Sequence, residues 1–429
     1  MADYLTPGVY VEEVSAGPRP IESVGTSTAA FLGRAPVVDA QPHRALAMNN
    51  WAQFVRTYCK EGAQSTPLAQ AVYGFFENGG QRCFVVNVGN DGIAGGVKAG
   101  QRFGIAVLEE VDEVAIVAAP GYADAASWDA LLTHCEKLRD RVAVLDAPQD
   151  VDDFTKLTQV ATAEPTPRRA RAAVAAAATG AGGAAGGGGA GGGGAGGDAG
   201  TPPAKGLRAR ASDGGYGAFY FPWITTRDPI DGELVNVPPS GHIAGIYART
   251  DATRGVHKAP ANEVVRGALN VAYRVTREDQ GALNPNGVNV IRFFPDAGIR
   301  VWGARTLADS ASEWRYVNVR RLFNMVEESV GRATRWVVFE PNDQTLWKSI
   351  RRDVGAYLTR LWRSGALMGA TPEEAFFVKC DEETNPQDVI DAGMVVTLIG
   401  IAPVKPAEFV IFRIGQHASG TEVQTGKES

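Results

Sequence analysis

The sequence predicts a mixed α/β fold, with mixed sheets flanked by helices. Three observations carry that prediction. Short apolar runs rich in Val, Ile and Phe alternate with helical segments between residues 83 and 145. Runs of that kind read as strands, and the alternation packs helices against a parallel or mixed sheet. Gly, Pro and Asn close the segments, as at Asn78-Gly79-Gly80 and Pro120-Gly121.

The elements follow in chain order. Thr6-Pro7-Gly8 and Gly17-Pro18-Arg19-Pro20 fence off Val9-Tyr10-Val11-Glu12-Glu13-Val14, which has strand composition. A strand fenced by Pro and Gly has no adjacent hairpin partner. Residues 1–25 therefore read as an extended arm whose backbone bonds are made elsewhere. Ala30 to Gly33 reads as a strand and Asn49 to Tyr58 as a helix. Thr66 is an N-cap and Pro67 a first-turn residue for a helix striped by Leu68, Val72, Phe75 and Phe76. Strands are expected at Cys83–Val88, Val111–Ala119 and Arg141–Leu145, with a helix over Asp124–Leu138.

From Gly180 to Gly200 there are 14 Gly, 6 Ala and one Asp. Such a segment cannot bury enough surface to offset its ordering entropy. Residues 161–213 thus read as a flexible surface insertion. An aromatic strand follows at Tyr216–Ile224, then a helix from about Ser240. Asn286–Phe294 and Gly298–Val301 read as strands, Ser310–Ser329 has helical periodicity, and Trp336–Phe339 has strand composition. Leu346–Trp362 is the strongest helix, with Trp347, Ile350, Val354, Tyr357, Leu358 and Leu361 on one face. Lys348, Arg352 and Arg363 fall on the opposite face. Phe376–Cys380, Met394–Ile401 and Glu408–Ile414 complete the strands. The expected units are 1–25 (arm), 26–250 (α/β domain carrying the insertion), 251–405 (second domain) and 406–429 (strand and tail).

Composition removes several classes. The chain of 429 residues carries a net charge of −6, so nucleic acid is not an expected partner. Cys59, Cys83, Cys135 and Cys380 form no C-x-x-C pair and read as reduced thiols of a cytoplasmic product. Met1-Ala2-Asp3-Tyr4 lacks the basic and apolar regions of a signal peptide. The apolar run Met394–Val404 is well short of the ~20 residues of a spanning helix, so no membrane insertion is expected.

No specific catalytic constellation is found. There is no phosphate-binding G-x-x-x-x-G-K-[ST] and no H-E-x-x-H. Gly25-Thr26-Ser27-Thr28-Ala29 faintly resembles a nucleophile elbow, but it leads into a strand where an elbow needs a helix. His242 has no evident orienting partner and reads as structural. Asp251, Glu263, Asp279 and Asp296 lack metal-ligand spacing. A non-enzymatic protein with no catalytic residue, cofactor or metal is expected. An α/β hydrolase or a monomeric adhesion module remains the alternative.

Several segments in order resemble the contractile tail sheath proteins of phage tails and phage-like injection systems. They are TPGVYVEEV, FFENGGQRCFVVNV (75–88), VDEVAIVAAPG (111–121), PPSGHIAGIYARTDATRGVHKAPAN (238–262) and LNPNGVNVIRFFPDAGIRVWGARTL (283–307). WRYVNVRRLFNMVEESV and FEPNDQTLWKSIRRDV continue the match. The resemblance implies a two-domain subunit with terminal exchange strands, polymerised in stacked, six-fold rings around an inner tube and joined to baseplate and cap proteins. It implies cytoplasmic assembly into a phage tail or a tail-like particle, released or membrane-docked. It also implies that both terminal strands add to a small sheet in neighbouring subunits. Val9, Tyr10, Val11 and Val14, with Phe409, Val410, Ile411, Phe412 and Ile414, are then the exchange residues. The C-terminal domain should face the tube. Residues 300–363 hold twelve basic residues against seven acidic ones. Lys348, Arg351, Arg352 and Arg363 are accordingly expected to meet an acidic tube through weak, salt-sensitive contacts.

Overall fold

A computed structural model describes residues 20–162 and 206–411. The arm strand, most of the Gly/Ala-rich insertion and the chain beyond Ile411 lie outside the described residues. In chain order the first elements are β1 (Ala29–Gly33), β2 (Ala45–Met48), α1 (Trp51–Tyr58), α2 (Pro67–Glu77), β3 (Cys83–Asn87), β4 (Gly96–Lys98), β5 (Gln101–Phe103), β6 (Ile116–Ala118), α3 (Ala125–Leu138) and β7 (Val142–Asp146). After the gap come β8 (Gly217–Phe221), β9 (Ile224–Arg227), β10 (Leu234–Val237), α4 (Ser240–Arg254), β11 (Glu263–Val264), β12 (Asn270–Val271), α5 (Arg277–Leu283), β13 (Val288–Phe294) and β14 (Gly298–Val301). The last are α6 (Val317–Ala333), α7 (Gln344–Arg363), α8 (Pro372–Ala375), β15 (Phe376–Lys379), α9 (Gln387–Asp391) and β16 (Leu398–Ile401).

One nine-stranded sheet organises the first three quarters of the chain, in the order β11-β14-β13-β8-β7-β6-β1-β3-β2. Its middle, from β13 to β3, is parallel, and both edges are antiparallel. Successive side chains point to opposite faces. Phe31, Val85, Val144 and Tyr220 enter a core with α1, α2 and α4, while Leu32, Val86, Leu145 and Phe219 enter a second core with α3. Both faces are covered, which is why these strands read as continuous apolar runs.

The helices start where the caps predict. The Thr66 hydroxyl accepts from the Ala69 N–H ahead of Pro67, and Asp124 accepts from Ala126 and Ser127. Helix α4 has no side-chain cap of its own. Asp146, at the end of β7, accepts from the Ser240 N–H at 2.8 Å and from its hydroxyl at 2.7 Å. Burial pushes the Asp146 carboxyl up to about 7, against the hydrogen bonds from Ser240 and Gly121. Helices α2 and α4 meet at small residues. A Cβ on Gly241 would lie 2.3 Å from Ala71 Cα, and one on Gly245 would lie 2.5 Å from the Phe75 carbonyl oxygen.

A third core joins α6 and α7 to the small β15–β16 sheet, and Ile21 inserts into it. The expected break at 250/251 falls inside α4. Strands β13 and β14 continue the large sheet, and Val317 at the start of α6 still belongs to the first core. Composition marks β13 and β14 as strands but does not say which sheet they join.

Three strand expectations are corrected. Trp336–Phe339 is not a strand: Arg335–Val337 forms a 3-10 turn between α6 and α7, and Phe339 is exposed with φ of 71°. The segment connects two helices and pairs into no sheet among the described residues. Val111–Ala119 is a strand only over β6, because its ladder partner β1 begins at Ala29, opposite Ile116. Met394–Ile401 is a strand only over β16, because β15 offers four partners.

Candidate functional site and assembly surfaces

The chain's C-terminal segment is held at one residue and then released. Arg305 donates to both Glu408 carboxylate oxygens, from Nε at 2.9 Å and Nη2 at 2.7 Å. Asn284 Nδ2 donates at 2.7 Å and the Tyr316 hydroxyl at 3.1 Å. Burial raises the Glu408 carboxyl, but Arg305, Asn284 and Tyr316 outweigh burial and hold it below the usual carboxylate range. Immediately beyond, Phe409, Val410 and Ile411 are 72%, 70% and 80% exposed. They belong to no strand among the described residues. Three adjacent exposed apolar residues of β composition leave both backbone and side chains to be covered by something else. Phe412 and Ile414 lie outside the described residues, as do Val9, Tyr10, Val11 and Val14.

The N-terminal segment is rooted on α6 and α7. Ile21 is buried, and its carbonyl accepts from Arg360 on α7. The Val24 N–H donates to Ser329 Oγ at 3.0 Å. The Thr26 carbonyl accepts from Arg321 at 2.9 Å. Arg321 in turn pairs with Asp251 on α4, and both side chains are buried.

The small sheet has two strands. Strands β15 and β16 pair only with each other among the described residues. Phe376, Val378 and Ile401 turn toward the third core, whereas Phe377 and Leu398 face outward and are exposed. Two outer edges and an apolar outer face suit added strands.

Of the four α7 residues expected to meet the tube, Lys348, Arg352 and Arg363 are exposed and Arg351 is half-buried. The apolar stripe opposite them is buried from Trp347 to Leu358, with Leu361 half-buried at its end. The structure brings Lys348 and Arg351 to one groove of about 360 Å³ with Asp381, Glu382 and Glu383. Arg352 Nε pairs with Asp353 at 3.0 Å. That acidic turn beside the basic face was not anticipated. Charge runs in sequence do not say which of them will be neighbours.

The residues weighed for catalysis have structural surroundings. Ser27 leads into β1, a strand. The His242 ring is fully buried against Gly74, where a Cβ would lie 2.3 Å from its Cε1. Burial pushes its imidazole down to about 4, so the ring is neutral, and neither ring nitrogen has a hydrogen-bond partner. Asp251 pairs with Arg321, Asp279 closes a capping box with Thr276, and Glu263 lies near Lys258. No cluster of metal-ligating side chains occurs among the described residues. No helix among them is long and apolar enough to cross a membrane. All four cysteines are free, and three are buried.

Sequence reasoning missed Arg305, Tyr316, Glu408 and the buried polar residues of α6. Glu408 and Arg305 are 103 residues apart. No local pattern announces such a pair. The tandem Arg320-Arg321 enters the charge balance of residues 300–363, yet both are buried: Arg320 lies 4.2 Å from the centre of the Trp314 ring and Arg321 4.7 Å from that of Tyr247.

Known proteins resemble this chain in sequence over part of its length and in structure over nearly all of it. Residues 210–307 match the phage tail sheath protein central domain, and residues 309–416 match the phage tail sheath C-terminal domain. The tail sheath protein of Vibrio phage KVP40 is 32% identical over 177 residues, which is 41% of this chain and 26% of that protein. The chain thus spans about a quarter of that relative's length. Among solved structures, the contracted-state sheath complex of the extracellular contractile injection system PVC superposes with a TM-score of 0.72 at 28% identity. It covers 97% of this chain and 99% of its own. A chain in the contracted-state baseplate of the anti-feeding prophage has a TM-score of 0.68 at 30% identity, over 96% and 99%.

Proposed function

We propose a function from one premise: this chain belongs to the contractile tail sheath family. The chain is a structural subunit that polymerises into a helical sheath around an inner tube. Contraction of that sheath drives the tube through a target membrane. The observation that carries the reading is the release of Phe409–Ile411 into solvent directly after a buried four-donor grip on Glu408. A segment held so firmly at its root and left unpaired beyond it is suited to donation.

In this reading the arm strand Val9–Val14 and the C-terminal strand leave the subunit and add to the β15–β16 sheets of neighbouring copies. Val9, Tyr10, Val11 and Val14 supply one strand, and Phe409 to Phe412 with Ile414 the other. Head-to-tail contacts of this kind build open helical arrays. The large-sheet domain forms the outer layer and the C-terminal domain faces the tube. Lys348, Arg351, Arg352 and Arg363 meet an acidic tube surface there. Rings are six-fold, ended by baseplate and cap proteins. They assemble in the cytoplasm into a phage tail or tail-like particle. Stored packing free energy drives contraction, so the subunit hydrolyses nothing.

The test compares the full chain with a truncation lacking residues 409–429, by negative-stain microscopy and thermal melting. The full chain forms hollow tubes. The truncated chain forms none, yet melts within a few degrees of the full one, because Phe409, Val410 and Ile411 enter none of the three cores. Normal tubes from the truncated chain would sink the reading.

A further inference from the structure

Helix α6 is unusual for its buried polar side chains. Asn318, Arg320, Arg321, Asn324 and Ser329 are all nearly inaccessible. Helices normally turn such residues to water, and burying them costs free energy unless each finds partners. Their partners show what the helix holds. At its start, the Tyr316 hydroxyl donates to Glu408, and Asn318 Nδ2 donates to the Val404 carbonyl at 3.2 Å. Further along, Arg321 donates to the Thr26 carbonyl, and Ser329 Oγ accepts from the Val24 N–H. The first pair grips the root of the C-terminal segment. The second grips the root of the N-terminal arm.

We infer that α6 is the tie that links the two exchanged arms within each subunit. This rests on the exchange reading above and adds the path along which load passes. From residue 318 to 329 the helix spans about 16 Å. A helix is stiff along its axis because every turn is hydrogen-bonded to the next. Tension entering at one arm root therefore has a direct path to the other through α6, beside the bonds that Arg305 and Asn284 make to Glu408 from the segments flanking β13 and β14. The large sheet attaches to the tie from the side. Asp251 on α4 pairs with Arg321, and the His257 carbonyl accepts from Asn318 at 2.7 Å. Bodies can then move while the tie and arms stay continuous. The same layout explains why an ion pair as buried as Arg321–Asp251 is present: it joins body, arm root and tie at one point.

The experiment loads the polymer mechanically. Tubes of the full-length chain are sheared at a fixed flow, and their median length is read by negative stain. Ser329→Ala removes the acceptor for Val24, and Glu408→Gln removes the charge at the C-terminal root. Val144→Ala, in the middle of the large sheet, is the control, with monomer melting measured for all three. Tubes of the two root variants should break to half the wild-type length or less, while Val144→Ala tubes keep theirs. Failure of Glu408→Gln to form tubes despite a normal melt supports the tie as well. Unchanged lengths in both root variants, or equal shortening in Val144→Ala, would overturn it. The truncation lacking 409–429 separates the two readings. If it makes no tubes while the root variants behave as wild type, only the tie fails; if it makes normal tubes, the exchange reading fails and the tie with it.

Discussion

In the large sheet, neighbouring residues of one strand enter different cores. Phe31 sits 5.5 Å from Phe75 on one side, while Leu32 lies in the core beside α3 on the other. In the small sheet, Phe376 turns inward but Phe377 and Leu398 face water. The large sheet buries both faces of its central strands, and the small C-terminal sheet leaves one face open. This difference separates what a single chain must provide from what a neighbouring copy can provide. A body that moves as a unit needs a closed interior. A lobe that knits copies together needs open edges and rooted ends.

The largest effect should come from the closed side. Gly241 lets α4 approach α2 until the two backbones touch. Gly241→Leu forces them apart and should cost about 3 kcal/mol or more, read as a lower urea midpoint. A loss below about 1 kcal/mol would mean that the body tolerates looseness as the lobe does, and the contrast would fade.

The next effect tests the same contact through pH. His242 is held neutral by burial, its pKa pushed from 6.5 to about 4. The unfolded chain therefore takes up a proton between those values while the folded chain does not. Stability is lost as pH falls from 6.5 toward 4, by up to about 3 kcal/mol from this group. Asp146 works the other way, since its raised pKa favours the folded state at low pH. The wild-type profile therefore blends both. His242→Phe isolates the imidazole. The variant should match wild type near pH 7 within about 1 kcal/mol and gain on it steadily toward pH 4. Parallel stability curves for the two proteins would show that His242 is not buried as described.

Much of the body was legible in sequence because its signals are local. Thr66-Pro67 and Asp124 announce helix starts by chemistry that acts within three residues. Strands buried on both faces announce themselves as apolar runs. The close crossing at Gly241 and Gly245 was visible as two glycines four apart, but their partner at Ala71 and Phe75 was not. Trp336–Phe339 was misread because strand composition says nothing about whether a partner strand is near. The assembly surfaces were legible by halves. The β composition of 409–411 can be read from the residues, whereas the grip on Glu408 depends on Arg305, Asn284 and Tyr316 arriving from three separate segments. Long-range pairing of single polar residues leaves no periodicity to detect.

The smallest effect on the subunit should be the most telling for the lobe. Lys348 and Arg363 are exposed on α7, and pairs at such positions are worth about 0–1 kcal/mol. Reversing both to Glu should barely move the melting temperature. Binding to the tube is another matter, because one weak contact repeats in every copy along its length. Co-sedimentation with isolated tubes should be lost in the double variant, and wild-type binding should weaken as salt rises. The acidic turn at Asp381–Glu383 makes the opposite result equally clear. It lines the same groove as Lys348. If Lys348 serves that turn instead of the tube, reversal sets like charges together, lowers the subunit's melting temperature and leaves tube binding intact. The basic face would then belong with the self-satisfied surfaces of the body, and the open part of the lobe would shrink to its sheet edges and chain ends.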